Sequence, residues 1–466
     1  MVYQRQWRMR CLMLWGMVIG VMGCKQPIKK ITPIEIATYG VEDLQYPERK
    51  IVVSEMAQRG FLDHFFLPWN RSPETVLDTL SAFPGKELSY LHQYLNDDGW
   101  YGEHKKPHKK IERLALVRNV DTLSFPNTMQ KGIVTAHTNL RRLPTHRPGF
   151  ATYSNAGEGY PFDYFQETGL WANTPVRLLH ITIDRQWCYV LSPYYKGWVA
   201  MRDMAIVDDD FSATWTQNGY ALPLSDTLNL QQNASYAPNA KMGMVLPYKA
   251  SPTESDKVLV YYAVADVERK AQIQSALVDR KGLALEGAAP LAADLKGLVS
   301  QLVGRPYGWG GSLENRDCSS MIRDLWATYK VWLPRDSKDQ INIGERFELS
   351  GSPAEKIALI QEKGIPFLTI LRKKGHNMLY VGNTPNGEPL IFHAIWGLKT
   401  AYSDIGLTNA LANYPIEGLH EGEAGQLLGR YIIGESVITS VRAGEGNPSV
   451  VASLIDDIYA MTNFLE

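Results

Sequence analysis

The stretch that most constrains this chain is residues 304–340, which opens Gly-Arg-Pro-Tyr-Gly-Trp-Gly-Gly and runs through Arg-Asp-Cys-Ser-Ser to Leu-Pro-Arg-Asp-Ser-Lys-Asp-Gln. A glycine- and aromatic-rich loop, Tyr307 to Gly311, gives way after a short polar spacer to a helical pattern. Cys318, Met321, Ile322, Leu325, Trp326 and Tyr329 recur at the i, i+3, i+4, i+7 spacing of one helix face. Asp317 stands where an N-cap belongs, since its short carboxylate can accept an unpaired first-turn N–H. The Cys318 thiol is thereby placed in the first turn, where the positive end of a helix favours thiolate.

Such a position can lower a cysteine pKa from about 8.5 into the range of roughly 3.5–7.5. Free cysteines usually pack as small core residues, but loop, cap, thiol and amphipathic helix in this order form the design of a papain-like nucleophile. A base is then required downstream. His376 lies in Lys-Lys-Gly-His-Asn-Met-Leu-Tyr-Val-Gly, a strand pattern that begins at the histidine. His393 lies in Pro-Leu-Ile-Phe-His-Ala, a second strand after the turn at residues 383–387. If the registers match, one imidazole can take the thiol proton while the other holds it in the right tautomer. Taken singly, either is an ordinary strand histidine.

Pro-Tyr-x-Trp-Gly-Gly, Asp-Cys-Ser, Leu-Pro-Arg-Asp-Ser-x-x-Gln, Gly-His and Ile-Phe-His-Ala, in that order, resemble the NlpC-type cysteine peptidases of bacterial cell walls. The resemblance implies a papain-like fold with Cys318 as nucleophile, His376 as general base and His393 as the orienting third member. It further implies that Tyr307, Ser319 and Asp336 line the substrate pocket, with Asp317 beside them. Ser320 departs from the glycine the family commonly has after Asp-Cys-Ser.

A length of 466 residues predicts about three domains. A net charge of −1 gives no electrostatic case for nucleic acid. Residues 1–24 read as a targeting segment: Arg5, Arg8 and Arg10 precede an apolar run from Cys11 to Val21, too short to span a bilayer comfortably. The ending Val-Met-Gly-Cys resembles a bacterial lipobox with Cys24 as the lipidated residue. Lys25 follows rather than aspartate, so an outer-membrane anchor facing the periplasm is expected. Cys188 and Cys318 are expected to stay free, because bridging them would consume the proposed nucleophile.

Residues 25–130 read as a tether followed by helices, with apolar faces at 75–80 and 87–95. Phe65-Phe-Leu-Pro-Trp69 resembles the helical stabilising segment of one branch of the family. From 131 to 208 short alternating strands dominate. A strand after Thr174-Pro175, a turn at Asp184–Trp187 and Lys196-Gly-Trp-Val-Ala200 resemble a bacterial SH3-type barrel. A second such barrel is expected at 209–288, with Ala240–Leu246 and Lys257–Val264 as its clearest strands. Cys188 reads as core, and His137, His146 and His180 as turn or surface residues rather than ligands. No metal-ligand spacing is present. The peptidase domain is expected at 289–445, and 446–466 as a closing amphipathic helix through Val450, Leu454, Ile455, Ile458 and Met461.

The resulting expectation is a multidomain α+β chain, a papain-like cysteine peptidase domain preceded by two SH3-like β-barrels and a helical N-terminal segment. By resemblance it would be monomeric and cofactor-free. It would cleave the γ-D-glutamyl–diamino acid bond of murein stem peptides, with the first barrel walling off the substrate's free amino end and Asp336, partnered by a carboxylate or tyrosine of the barrel in the region Tyr160–Gln166, holding its ammonium. The alternatives are a broader murein endopeptidase or amidase on the same fold, or a non-catalytic wall-binding lipoprotein.

Overall fold

The computed structural model describes residues 31–79, 82–153, 155–231 and 237–465. The expected targeting segment and Cys24 lie outside the described residues. Five helices open the described chain: α1 (Glu55–Phe65), α2 (Leu67–Asn70), α3 (Pro73–Thr79), α4 (Gly85–Asn96) and α5 (Lys110–Val120). The Phe-Phe-Leu-Pro-Trp stretch turns inward at the α1–α2 junction. Phe65, Phe66 and Trp69 are buried against Phe211, Trp215 and Tyr220. The Trp69 indole N–H donates to the Gly132 carbonyl at 2.8 Å. Arg177 donates in turn to the carbonyls of Pro68, Trp69 and Arg71, so the helical segment is tied to the sheet that follows.

That sheet has seven antiparallel strands: β1 (Gln130–Val134), β2 (Thr138–Arg141), β3 (Gln166–Leu170), β4 (Pro175–Ile181), β5 (Trp187–Leu191), β6 (Lys196–Ala200) and β7 (Met204–Val207), in the order β3-β2-β6-β5-β4-β1-β7. Its two faces bury separate cores, one with Tyr189 and Trp198, the other with Leu140, Cys188 and Val199. His180 is not at the surface. It is fully buried in β4 with Nε2 against the Val120 carbonyl at 2.6 Å, because its ring completes an aromatic cluster with Phe83, Phe125 and Trp198.

Helix α6 (Asp209–Thr216) leads to a five-stranded sheet of β8 (Gly219–Pro223), β9 (Leu246–Ala250), β10 (Lys257–Ala265), β11 (Ala271–Asp279) and β12 (Leu283–Ala284), in the order β11-β10-β9-β8-β12. The strand expected at 240–246 begins only at Leu246. Gly243 takes φ +89°, and the Met244 N–H closes a turn onto Lys241, so this apolar run is buried as a turn.

The C-terminal domain opens with α7 (Ala292–Leu302) and α8 (Cys318–Ala327), which pack on a sheet of β13 (Glu345–Glu348), β14 (Thr369–Lys373), β15 (His376–Asn383), β16 (Pro389–Tyr402), β17 (Ile416–Glu421), β18 (Leu427–Ser440) and β19 (Ala460–Asn463). Its order is β13-β19-β14-β15-β16-β18-β17. The closing helix expected over 446–466 is not formed. A single turn, Leu454–Asp457, precedes β19, which runs antiparallel between β13 and β14. Leu454, Ile455, Ile458 and Met461 are buried as anticipated. The open edges of β13 and β14 decide the conformation, because their backbone groups need partners and β19 supplies them on both sides.

Candidate active site

Helix α8 begins as the sequence suggested. Asp317 Oδ1 accepts the Ser320 N–H at 2.9 Å, and the Ser320 hydroxyl accepts the Asp317 N–H at 3.0 Å. The two form a reciprocal capping box. Ser320, the departure from glycine, thus works at the helix start instead of straining it. Asp317 borders the cleft beside Cys318, but its carboxylate is taken up by protein donors. Arg335 holds both its oxygens, at 3.2 and 2.5 Å, and Oδ2 also accepts the Gly310 N–H at 3.1 Å. Its oxygens are committed to the helix cap, the Gly310 loop and Arg335, so its part is to hold the start of α8 beside the nucleophile.

Arg335 also donates to the Ser319 hydroxyl at 2.8 Å and to Thr168 of β3 at 2.7 Å. One buried guanidinium therefore fastens the start of α8 to the first sheet. The glycines of the motif loop serve the same junction. Gly310 and Gly311 have φ of +59° and +79°, and a Cβ on Gly311 would lie 2.6 Å from the Gly169 nitrogen. Only glycine permits both the left-handed turn and this backbone-to-backbone approach. Behind them Arg316 pairs with Asp226 at 2.6 Å and with Asp324 at 2.8 Å, and Trp171 donates to Asp324 at 3.0 Å. Removing one member of such a buried network typically costs about 3–5 kcal/mol.

The base side is a hairpin. Leu379 pairs with Phe392 and Tyr380 with Ile391, which puts His376 and His393 on one face, diagonal to each other. His376 Nε2 lies 2.9 Å from His393 Nδ1, and His393 Nε2 lies 3.1 Å from the Thr439 hydroxyl on β18. With His376 Nε2 as donor in this chain, Nδ1 keeps its lone pair, the tautomer a base requires. The two sides are held in register by Gln340, which donates to the Ser319 carbonyl at 3.0 Å and accepts from Asn377 at 3.0 Å. The residue after the thiol is thereby linked to the residue after the base. The backbone N–H groups of Asn377 and Ser319 both act on the Cys318 sulfur. His420 lies apart in β17, its Nδ1 facing the Ala156 N–H and the Gly418 carbonyl.

The expectation of a low thiol pKa is overturned. Cys318 is only 8% exposed, and burial together with the Asp317 carboxylate pushes its thiol up to about 11. Burial, with His393 and then Lys373 and Arg372 adding to it, holds His376 well below its ordinary range. Burial likewise lowers His393 to about 3. The desolvation of a buried site outweighs the attraction of the helix end, so the resting couple is neutral thiol and neutral imidazole.

The cleft has two arms. One, of about 290 Å³, is lined by Cys318, Ser319, Tyr307, Asp336, and Gln166 and Glu167 of the first sheet. The other, of about 450 Å³, is lined by His376, Tyr307, Trp309, Trp396, Arg430, and Phe162 and Tyr164. The stretch expected to close the amino end is therefore split: Phe162 and Tyr164 face the His376 arm. The barrel carboxylate beside Asp336 is Glu167, one residue beyond that stretch, and Arg142 pairs with it at 2.6 Å. Arg335 and Gln340 were visible in the Leu-Pro-Arg-Asp-Ser motif but unassigned. Thr439 and Arg430 gave no signal, since only the β16–β18 register brings them to the site.

A thiol at a helix start, with the N–H of the residue after His376 acting on its sulfur and a linked histidine pair on that strand, is the arrangement of a papain-like cysteine hydrolase. Residues 304–395 match the NlpC/P60 family, and residues 148–200 match an SH3 domain of the SH3b1 type. The structure is similar to that of an NlpC/P60 endopeptidase from Photobacterium damselae subsp. piscicida, with a TM-score of 0.75 and 23% identity over 94% of this chain and 99% of that one. An NlpC/P60 family protein from Bacillus cereus ATCC 10987 aligns over 72% of this chain and 100% of its own, with TM-score 0.43 and 14% identity. NlpC2 from Trichomonas vaginalis aligns over 72% and 98%, with TM-score 0.26 and 12% identity. No curated protein matches in sequence. The chain thus carries a cysteine-peptidase domain of the NlpC/P60 type, which holds Cys318, His376 and His393, together with an SH3 domain.

Proposed function

We propose that the chain hydrolyses the γ-D-glutamyl–diamino acid bond of murein stem peptides by a covalent route through Cys318. The observation that carries this reading is the linked chain His376–His393–Thr439, whose strand brings the Asn377 N–H onto the Cys318 sulfur, in a cleft walled by the first SH3-like sheet. As the thiol attacks the carbonyl, its proton passes to His376 Nδ1, while His393, 2.9 Å from Nε2, holds the ring in the tautomer and direction that accept it. The Cys318 N–H, unpaired at the first helical position, and the Tyr307 hydroxyl receive the tetrahedral oxygen. His376 then protonates the leaving amine, and water hydrolyses the thioester. Ser319 and Asp336 line the acyl side.

Asp336 and Glu167, the latter paired with Arg142, both line that cavity, which suits the ammonium of a free N-terminal L-Ala. A second reading, a broader endopeptidase, draws on a further cavity of about 530 Å³ that shares Arg142, Glu167, Tyr195 and Asp336 with this arm. Mass spectrometry of the free tripeptide L-Ala-γ-D-Glu-diaminopimelate and of its muramyl-linked form, each incubated with the protein, separates the two. Fast cleavage of the free peptide alone sustains the first reading, and equal cleavage of both sustains the second. No cleavage of either removes both. A lipid anchor through Cys24 at the outer membrane, with the chain acting as a monomer, is part of the same proposal. Radiolabelled palmitate should enter the protein and be lost in Cys24→Ala.

A further inference from the structure

The leaving amine must receive its proton from His376, so the leaving group sits on the histidine side of the sulfur and the acyl group on the other. The cleft divides in that way: the arm of about 450 Å³ is lined by His376 and not by Cys318, the arm of about 290 Å³ by Cys318 and not by His376. The histidine-side arm has aromatic walls, with Trp396 6.0 Å from Tyr307 and Phe162 5.1 Å from Trp309 between ring centres. Its charge is positive. Lys373 is matched by Asp457 at 2.9 Å, but Lys374, Lys399 and Arg430 make no ion pair among the described residues.

Arg430 is the informative one. It reaches the cleft from β18, and Nη1 donates to the Gly397 carbonyl at 3.1 Å. Its Nε is buried and has no protein partner among the described residues. Glu417 acts on it from a distance, yet that carboxylate accepts the Trp396 indole N–H instead. Tyr307 is the other titratable group acting on it, and the Nη2 end of Arg430 lies against Gly157. A desolvated guanidinium with an unused donor, between aromatic walls and beside the base, is suited to a carboxylate in a planar two-point contact.

We propose that this arm is a leaving-group subsite for an amino acid or peptide that carries a free carboxylate close to the new amine, with Arg430 as the residue that selects it. The proposal rests on the peptidase reading above and adds to it which diamino acids are accepted. A diamino acid with two carboxylates, or one at the free end of the stem, fits. The same residue with its carboxylates amidated does not.

The test compares kcat/KM of the full chain on L-Ala-γ-D-Glu-diaminopimelate and on the same peptide with both diaminopimelate carboxylates amidated. The free acid should be preferred by about 30- to 100-fold. Arg430→Gln should collapse that preference to within about threefold by slowing only the acid, and Arg430→Lys should restore part of it. Equal rates on the two peptides in the unaltered chain, or an equal fall on both in Arg430→Gln, overturns the subsite. Calorimetric titration of free diaminopimelate and its diamide into Cys318→Ala needs no turnover. Binding of the acid alone, weakened at least about tenfold by adding Arg430→Gln, sustains the proposal even if neither peptide is cleaved and the peptidase reading falls. Absent or indifferent binding overturns it.

Discussion

Two free thiols lie among the described residues, Cys188 in the first sheet and Cys318 at the start of α8, and both are buried. Each has a histidine nearby in the fold. Burial raises both, Cys188 to about 12 and Cys318 to about 11. Resting acidity therefore does not separate them; what their neighbours are free to do does. His180 pairs in register with Tyr189, so its ring lies on the sheet face opposite Cys188, and its Nε2 is spent on the Val120 carbonyl. Cys188 is closed in by Leu140, Val190 and Val199. Cys318 opens on a cleft, its neighbour Ser319 is clamped at the hydroxyl by Arg335 and at the carbonyl by Gln340, and His376 is oriented by a second ring. A nucleophile is made by a proton acceptor with a lone pair to spare and by room for a carbonyl carbon.

The largest expected effect tests that contrast directly. Cys318→Ala should lower turnover by at least about 10³-fold, while Cys188→Ala should leave kcat/KM within about twofold. Steady-state hydrolysis of the tripeptide reads both. Comparable losses in the two variants would mean that the site lies elsewhere. Next comes the orienting ring. His393→Ala should cost about 10²-fold in kcat, since His376 would lose its tautomer and direction, whereas His420→Ala should cost almost nothing. Thr439→Val should fall between them, at a few-fold. A larger loss at His420 would show that the hairpin register misassigns the third member.

Much of this site could be read from residue order, and the limits were physical. Asp317, Cys318 and the apolar face of α8 are local, within one helix and its cap, so period and cap chemistry are enough to place them. His376 and His393 needed one short-range assumption, a hairpin around residues 383–387, which the β15–β16 register supplies. Thr439 and Arg430 depend on a partner strand some 40 residues away, whose pairing no local pattern announces. The C-terminal segment failed for a related reason. Its apolar spacing suits a helix, but two unpaired strand edges outweigh local preference. The thiol pKa failed because a helix-end effect is worth at most about 2 kcal/mol, while burial of a thiolate in a dry pocket costs more.

That failure yields a titration. The resting couple is neutral, so the thiolate absorbance difference between the full chain and Cys318→Ala should stay flat from about pH 5 to about pH 9 and rise only as the thiol approaches its raised value. A thiolate step below neutrality would restore the helix-end picture. For His376 the sign runs the other way: the neutral ring is the base, and a depressed pKa keeps it neutral as pH falls through about 6.5. Activity should therefore persist into mildly acid solution and decline only further down. Because His393 is the second cause of the depression, His393→Ala should move the acid limb upward in addition to lowering its plateau.

The smallest effect reverses the order of the two cysteines. Cys188 is fully buried between β4 and β6, and its sulfur fills space among branched side chains that cannot close over a gap. Replacing it with alanine removes apolar contacts and leaves a small cavity, a change on the order of 1 kcal/mol. Cys318 sits at the edge of a cleft, 8% exposed, where a lost sulfur leaves a slightly wider groove and no closed void. Its side chain is also desolvated for chemistry rather than for packing, so alanine there should leave stability within about 0.5 kcal/mol or raise it. Thermal unfolding of the two variants should therefore rank them opposite to the turnover assay: Cys188→Ala active with a lowered Tm, Cys318→Ala inactive with Tm unchanged. A clear Tm loss in Cys318→Ala with none in Cys188→Ala would break the contrast, because it would make the thiol at the head of α8 a packing residue and the one in the sheet dispensable.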